Sequence, residues 1–324
     1  MRPFRFAVQT TTATSADQWR DLARKVEDLG YSTLFLADHY IGPGPVSDRT
    51  LLRPQHLAPI AAIAAAAAWT TTLRVGCRVF CVDYHVPAAL AKEASTIDML
   101  SDGRLEFGIG AGTNSGEYTA MGLSFEEAPQ RVSKLEEVVA LIKAHCSGEP
   151  IDHHGRHVEV SGYSGLPAPV QRPHPPIMIG GSRKRVLSLA AREADIVSLA
   201  NAPWTPVDKF GRTPMQETAR RARLVRDAAG DRFPTLELET SPYCLEVTTD
   251  RDTALRRWAS VLSAAVPDLQ PETLLNHPNA LIGSVDQIID QLEQRRDTLG
   301  ISYITIPRKQ LENFAPIVAR LTGS

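Results

Sequence analysis

The sequence lacks the features that would tie it to a polymer, a membrane or a disulfide framework. Its formal charge is close to balance, −2 with the histidines neutral, so no charge excess draws it to nucleic acid or an acidic polymer. Long apolar runs are missing: the alanine-rich stretch Ile60–Trp69 is too short to span a bilayer and reads as a buried helix. The opening Met1-Arg-Pro-Phe-Arg-Phe6 has no apolar signal core and enters a strand directly. The four cysteines, Cys77, Cys81, Cys146 and Cys244, show no metal-ligand spacing. Cys77 and Cys81 fall in one expected strand, where their Cα atoms stand roughly 13 Å apart, beyond disulfide reach. A reducing, cytoplasmic setting is therefore expected, with no membrane and no nucleic-acid partner. Repeats and low-complexity tails are also absent.

What is present is an alternation of strand-like and helix-like segments. Arg5–Gln9 reads as a strand and is followed by a helix from Ser15 to Leu29, which Ser15 can cap and Gly30 can end. Strands are likewise expected at Thr33–Ala37, Leu73–Phe80, Leu105–Ile109, Ile177–Ile179, Ile196–Leu199, Leu236–Val247 and Tyr303–Ile306, with helices between them. About eight βα units argue for an α/β fold, a (β/α)8 TIM-like barrel, over a doubly wound sheet. Residues 147–176, rich in Gly, Pro and His, read as an inserted loop or hairpin after the fourth βα unit, inside a single domain covering residues 1–324. Residues 263–281 fit no element clearly.

In such a barrel, chemistry collects at the C-terminal ends of the strands. The richest end is Ser101-Asp-Gly-Arg-Leu-Glu-Phe-Gly-Ile-Gly-Ala-Gly112, a turn followed by a strand whose Gly108, Gly110 and Gly112 share one face. Bare backbone of this kind suits either a flat ligand or a bulge at a barrel corner. It is not a dinucleotide fingerprint, because the G-x-G-x-x-G spacing is missing and no helix opens directly after it. The second strand ends in Asp38-His39, where His39 can move a proton, hold a ligand or serve a purely structural hydrogen bond. Arg78 sits among apolar residues of the third strand. The fifth ends in Gly180-Gly-Ser-Arg-Lys-Arg185, a backbone cradle of the phosphate-binding type whose cations conflict with the helix dipole unless an anion binds. Solvated surface cations are the alternative there.

The order Asp38-His39, Ser101-Asp-Gly-Arg104 with Gly108-x-Gly-x-Gly112, then Pro176-Ile-Met-Ile-Gly-Gly-Ser182 resembles the bacterial luciferase-like monooxygenase superfamily. Within it the chain looks most like the F420 (deazaflavin)-dependent oxidoreductases, over nearly its whole length. The resemblance implies a TIM-like barrel, commonly dimeric, with His39 beside the deazaflavin ring as the catalytic residue. It implies a non-proline cis peptide near Arg78-Val79 under the ring. It also implies cofactor contacts from Gly110, Ala111, Gly112 and Asn114, and a phosphate held by Gly180, Gly181, Ser182 and Arg183. The chain departs from the sugar-phosphate dehydrogenases of this branch, with Pro43 in place of a tryptophan and Thr113 in place of a glutamate. Glu117 supplies a carboxylate nearby, in a different register.

The expected activity is hydride transfer between coenzyme F420 and a small, hydrophobic organic substrate, with His39 as proton donor or orienting group. An FMNH2-dependent two-component monooxygenase, served by a separate cofactor reductase, is the alternative, and a non-catalytic flavin carrier is a third. The loops Tyr40–Arg53, Thr113–Ser124 and Asn201–Thr213 are expected to shape the pocket, with Tyr40, Tyr118 and Trp204 as its walls. No metal site is expected, since no His or carboxylate set stands at the strand ends.

Overall fold

A computed structural model of the chain describes residues 2–50, 54–264, 266–267 and 269–324. The start of the N-terminal reading at Met1 and the last three residues of the loop expected over 40–53 lie outside the described residues.

The first half of the chain carries β1 (Arg5–Thr10), α1 (Ala16–Asp28), β2 (Thr33–Leu36), α2 (Pro45–Thr50), α3 (Pro59–Trp69) and β3 (Arg74–Cys81). It continues with α4 (Pro87–Leu100), β4 (Leu105–Gly110), α5 (Ser115–Ala120), α6 (Ala128–Ser147), β5 (Ile151–His154) and β6 (Glu159–Tyr163). The second half holds β7 (Ile177–Gly181), α7 (Lys184–Glu193), β8 (Ile196–Leu199), α8 (Pro214–Ala229), β9 (Glu237–Thr240) and β10 (Cys244–Val247). It ends with α9 (Arg251–Leu262), α10 (Pro271–Leu275), β11 (Ala280–Gly283), α11 (Val285–Leu299), β12 (Ile301–Pro307) and α12 (Leu311–Leu321).

Eight of these strands close a parallel barrel in the order β1-β12-β9-β8-β7-β4-β3-β2, the TIM-type architecture expected from the alternation. By Cα packing the chain resolves into two compact units. One holds Gln9–Glu27 and Thr33–Gly180; the other holds Met1–Val8, Asp28–Ser32 and Gly181–Ser324.

In the first unit, the predicted excursion after the fourth βα pair is an antiparallel hairpin, β5 with β6. Helix α1 follows its sequence signals: Ser15 accepts from the Gln18 amide at 3.1 Å, and Trp19, Leu22, Ala23 and Val26 are buried at helical spacing. The Ser101-Asp-Gly-Arg turn is an anchor for the strand start. Asp102 and Gly103 take φ of 52° and 77°, which Asp tolerates and Gly adopts freely. The Arg104 guanidinium then donates to the carbonyls of Ser101, Leu73 and Ala67 at 2.7–2.8 Å. This arginine ties the entry of β4 to α3 and β3.

In the second unit the expected strand Leu236–Val247 is two strands. Pro242 has no amide to donate, so the ladder ends at Thr240. Beyond it, β10 leaves the barrel and pairs with β11 instead. The unassigned residues 263–281 supply α10 and the first residues of β11. Between them, α9, α10 and β11 bury Cys244, Leu255, Leu269, Leu274 and Ile282 in a small apolar cluster.

Candidate active site

Strand β2 is wholly buried, and the residues that follow it carry the first functional groups. Asp38 and His39 follow the strand as neighbours, and their side chains meet different partners. The buried Asp38 carboxylate accepts the Cys81 amide at 2.8 Å and the His85 Nε2–H at 2.8 Å. His39 Nδ1 lies 2.8 Å from Glu117 Oε2, with the Glu117 side chain 0% exposed and that of His39 29% exposed. The other Glu117 oxygen accepts the Tyr40 amide at 2.7 Å, and the Tyr84 hydroxyl also favours the charged form of this carboxylate. Burial alone would raise the Glu117 carboxyl. The hydrogen bonds from His39 and Tyr40, aided by Tyr84, outweigh it and hold the group below its ordinary range. An ionised carboxylate only accepts, so His39 donates from Nδ1 and its Nε2 is left for a ligand.

Strand β3 bulges next to this pair. Its register against β4 shifts between Cys77 and Phe80, and the Arg78-Val79 peptide is cis, at the position the resemblance implied. Gln9 brackets the bulge, accepting from the Arg78 guanidinium and donating to the Arg78 carbonyl, both at 3.2 Å.

The glycine face of β4 answers this bulge. A Cβ on Gly108 would stand 2.1 Å from the Cys77 carbonyl oxygen, and one on Gly110 would stand 2.8 Å from a Val79 methyl. Gly112, at φ 72°, leaves room for the Tyr118 hydroxyl, which a Cβ would meet at 1.9 Å. Protein atoms thus stand where side chains on this face would be, so the glycines have a packing reason here. Beyond it, Ala111 offers its carbonyl to Arg131 at 3.0 Å, and Asn114 caps α5 by accepting from the Gly116 amide at 3.2 Å. The Asn114 Nδ2 is buried without a partner among the described residues.

Tyr118 requires a correction. It is 0% exposed, its ring packs between Tyr84 and Phe125, and its hydroxyl donates to Asp83 at 2.7 Å. It forms framework, with no surface left for a substrate. Tyr40 is 42% exposed and edges against Tyr84.

The β7–α7 turn is the cradle singled out in the sequence. Gly180, Gly181 and Ser182 are half-buried, and Arg183 starts α7 with no side-chain cap and no acidic residue in the first turn. A Cβ on Gly181 would strike a Val186 methyl at 1.7 Å, so that glycine has a packing reason of its own. Trp204, in the second unit, stacks face to face on His277 at 4.0 Å and 14°. His277 is buried, which pushes its imidazole down to about 4 and keeps it neutral while it bonds the Pro203 carbonyl.

The sequence reading missed the turn Cys81-Val-Asp-Tyr-His85. Its polar residues Asp83, Tyr84 and His85 all point to partners of the site. The signal available was a polar triplet directly after an apolar strand. Among the described residues no set of three or more His, Cys, Asp or Glu side chains is placed to hold a metal, and no helix is long and apolar enough to cross a membrane.

The fold and the sequence both have counterparts among known proteins. The uncharacterized protein y4vJ of Sinorhizobium fredii (strain NBRC 101917 / NGR234) is 28% identical over 167 residues, 52% of this chain and 44% of that protein. The match thus spans less than half the length of that relative. Among solved structures, coenzyme F420-dependent tetrahydromethanopterin reductase from Methanopyrus kandleri superposes with a TM-score of 0.76 at 16% identity, covering 99% of this chain and 98% of that one. Monooxygenase RslO1 from Streptomyces bottropensis superposes with a TM-score of 0.73 at 23% identity, covering 98% and 97%. At those identities the likeness is one of fold. The sequence profile of luciferase-like monooxygenases matches residues 1–230, more than half of the chain, and the protein belongs to that family.

Proposed function

We propose that this protein is an F420-dependent oxidoreductase that moves hydride between the deazaflavin and a small, hydrophobic organic substrate. The observation that carries the reading is the His39–Glu117 pair, a partly exposed imidazole oriented by a fully buried, ionised carboxylate. When bound, the deazaflavin supplies a hydride equivalent. Glu117 fixes the proton on Nδ1 of His39, so Nε2 can give or take the matching proton at an oxygen or nitrogen of the substrate. Arg78 and Val79 present the bulge as the surface for the cofactor ring. Gly110, Ala111, Gly112 and Asn114 line it, with the buried Asn114 Nδ2 as a donor waiting for a ligand acceptor. Tyr40 and Trp204 stay assigned to substrate contact.

The phosphate is assigned to Gly180, Gly181, Ser182 and Arg183 on the chemistry of that turn by itself. Its uncapped amides and the cations Arg183, Lys184 and Arg185 suit an anion. F420 carries an anionic glutamyl tail that FMN lacks, so these three cations support F420 over the flavin. We take residues 1–324 as one catalytic domain working in a reducing cytoplasm, in keeping with four free, buried cysteines. A homodimer fits the all-apolar α3, whose Ala61 and Ala68 are nonetheless exposed.

Anaerobic oxidation of reduced F420 in the presence of enones, imines and ketones tests the reading. The wild type consumes the cofactor with at least one class, and His39→Ala binds it without turnover. Uptake of oxygen with reduced FMN, and none of this activity with F420, transfers the site to the monooxygenase reading.

A further inference from the structure

Helix α5 has only six residues, too few to hold its own orientation in water. Glu117 is therefore placed by what grips the helix from outside. The main grip is Tyr118, the next residue. Its hydroxyl donates to Asp83 Oδ2 at 2.7 Å and lies 3.1 Å from Cys81 Sγ. Asp83 is held in turn by Lys134 of α6, whose Nζ meets Oδ1 at 2.7 Å. Gly112 makes the grip possible, since any side chain there would displace the hydroxyl. Burial, reinforced by Cys81 and Asp83, raises the Tyr118 phenol far above its ordinary range, so it remains a donor to Asp83 at every physiological pH.

The same short turn grips the pair at two more points. Tyr84 favours the charged form of the Glu117 carboxylate and His85 bonds Asp38, the neighbour of His39. The turn is itself closed by Tyr84 N–H to the Cys81 carbonyl at 3.0 Å and joined to β4 by Val82 N–H to the Gly110 carbonyl at 3.1 Å. We infer that Asp83 and Tyr118 are positioning residues: the Lys134–Asp83–Tyr118 chain bolts α5 so that Glu117 fixes the tautomer of His39. The inference rests on the assignment of His39 to proton transfer, but its test needs neither cofactor nor substrate.

The protein has nine histidines, and selective 15N-histidine labelling reads their tautomers in the cofactor-free state, with His39→Gln to assign the resonance. In the wild type His39 is predominantly Nδ1–H. Tyr118→Phe and Asp83→Asn are each expected to lower the Nδ1–H to Nε2–H ratio about 2- to 10-fold, the worth of one net hydrogen bond. Tyr163→Phe, which removes a hydroxyl bonded to the Ala88 carbonyl and His145, leaves the ratio unchanged. If the two main variants do not fold, Lys134→Gln carries the test, because its side chain is 26% exposed and only the ion pair to Asp83 is lost. A smaller drop in the same direction is then expected. An unchanged ratio in the variants that fold, or an equal drop in Tyr163→Phe, overturns the inference. A lowered ratio together with failure to bind F420 keeps the bolt and removes the F420 reading.

Discussion

Glu117→Gln separates the charge of this carboxylate from its shape. The wild-type group accepts twice, from Tyr40 N–H at 2.7 Å and His39 Nδ1 at 2.8 Å. Glutamine fills the same volume but has one acceptor oxygen and an NH2 that only donates. If the oxygen faced His39, the NH2 would meet the Tyr40 amide donor to donor, inside a site that is 0% exposed. The oxygen therefore stays on Tyr40, and the NH2 donates to His39 Nδ1, which has to give up its proton. A hydrogen bond to a charged group is worth about 1.5–3 kcal/mol, a preference of roughly 10- to 150-fold at about 1.36 kcal/mol per decade. The wild type should thus show His39 almost wholly as Nδ1–H, and Glu117→Gln should show Nε2–H in excess, both by 15N shifts of the labelled imidazole. Thermal unfolding should shift down, reflecting a loss of about 1–3 kcal/mol. A Glu117→Gln variant that keeps the Nδ1–H form, or a wild type with no preference, would refute the reasoning.

The remaining predictions concern the bulge, the acid limb and the anion turn. Gly108→Ala should cost about 1–3 kcal/mol or more, since its Cβ meets a backbone carbonyl that cannot move. Gly110→Ala meets only a Val79 methyl, so Val79→Ala should restore its melting temperature while doing nothing for Gly108→Ala. Glu27 of α1 accepts the amides of Thr71, Thr72 and Leu73, and although burial opposes it, these bonds bring its carboxyl down to about 2 from 4.5. A folded value below the unfolded one means stability that is present above pH 4.5 and lost as pH falls toward 2. Glu27→Gln should therefore be less stable by about 1–2 kcal/mol at neutral pH, allowing for solvent screening, and the gap should close in denaturant titrations taken near pH 2. Arg183→Ala with Lys184→Ala should weaken F420 binding about 2- to 30-fold from two exposed charge contacts. FMN, without the glutamyl tail, should lose less, and added salt should narrow the difference.

How much of this was legible in the sequence depends on whether the signal was local. The barrel was, because strand and helix periodicities alternate and Gly, Pro and capping residues mark the ends. Ser15 before α1 and Thr213 with Gln216 before α8 are examples of such marks. The split of β9 from β10 was written in Pro242 but hidden by the apolar run on either side. The glycine face was legible as bare backbone, yet its occupant was not. Only the register shift of β3 shows that Val79 and the Cys77 carbonyl fill it. His39 could be picked from its strand end and Glu117 noted as a carboxylate, whereas their pairing could not be read. Glu117 lies 78 residues away on a helix too short to leave a periodic signal. Tyr118 was misplaced for a related reason: an aromatic residue in a loop looks the same whether it lines a pocket or braces the loop from inside.

The central claim is that the site is built for F420, and equilibrium binding tests it most directly. The purified protein, titrated separately with oxidised F420 and with FMN and followed by cofactor fluorescence, should bind F420 in the micromolar range and FMN at least about tenfold more weakly, a difference of about 1.4 kcal/mol. Absence of F420 binding at micromolar concentration, or tighter binding of FMN, would contradict it.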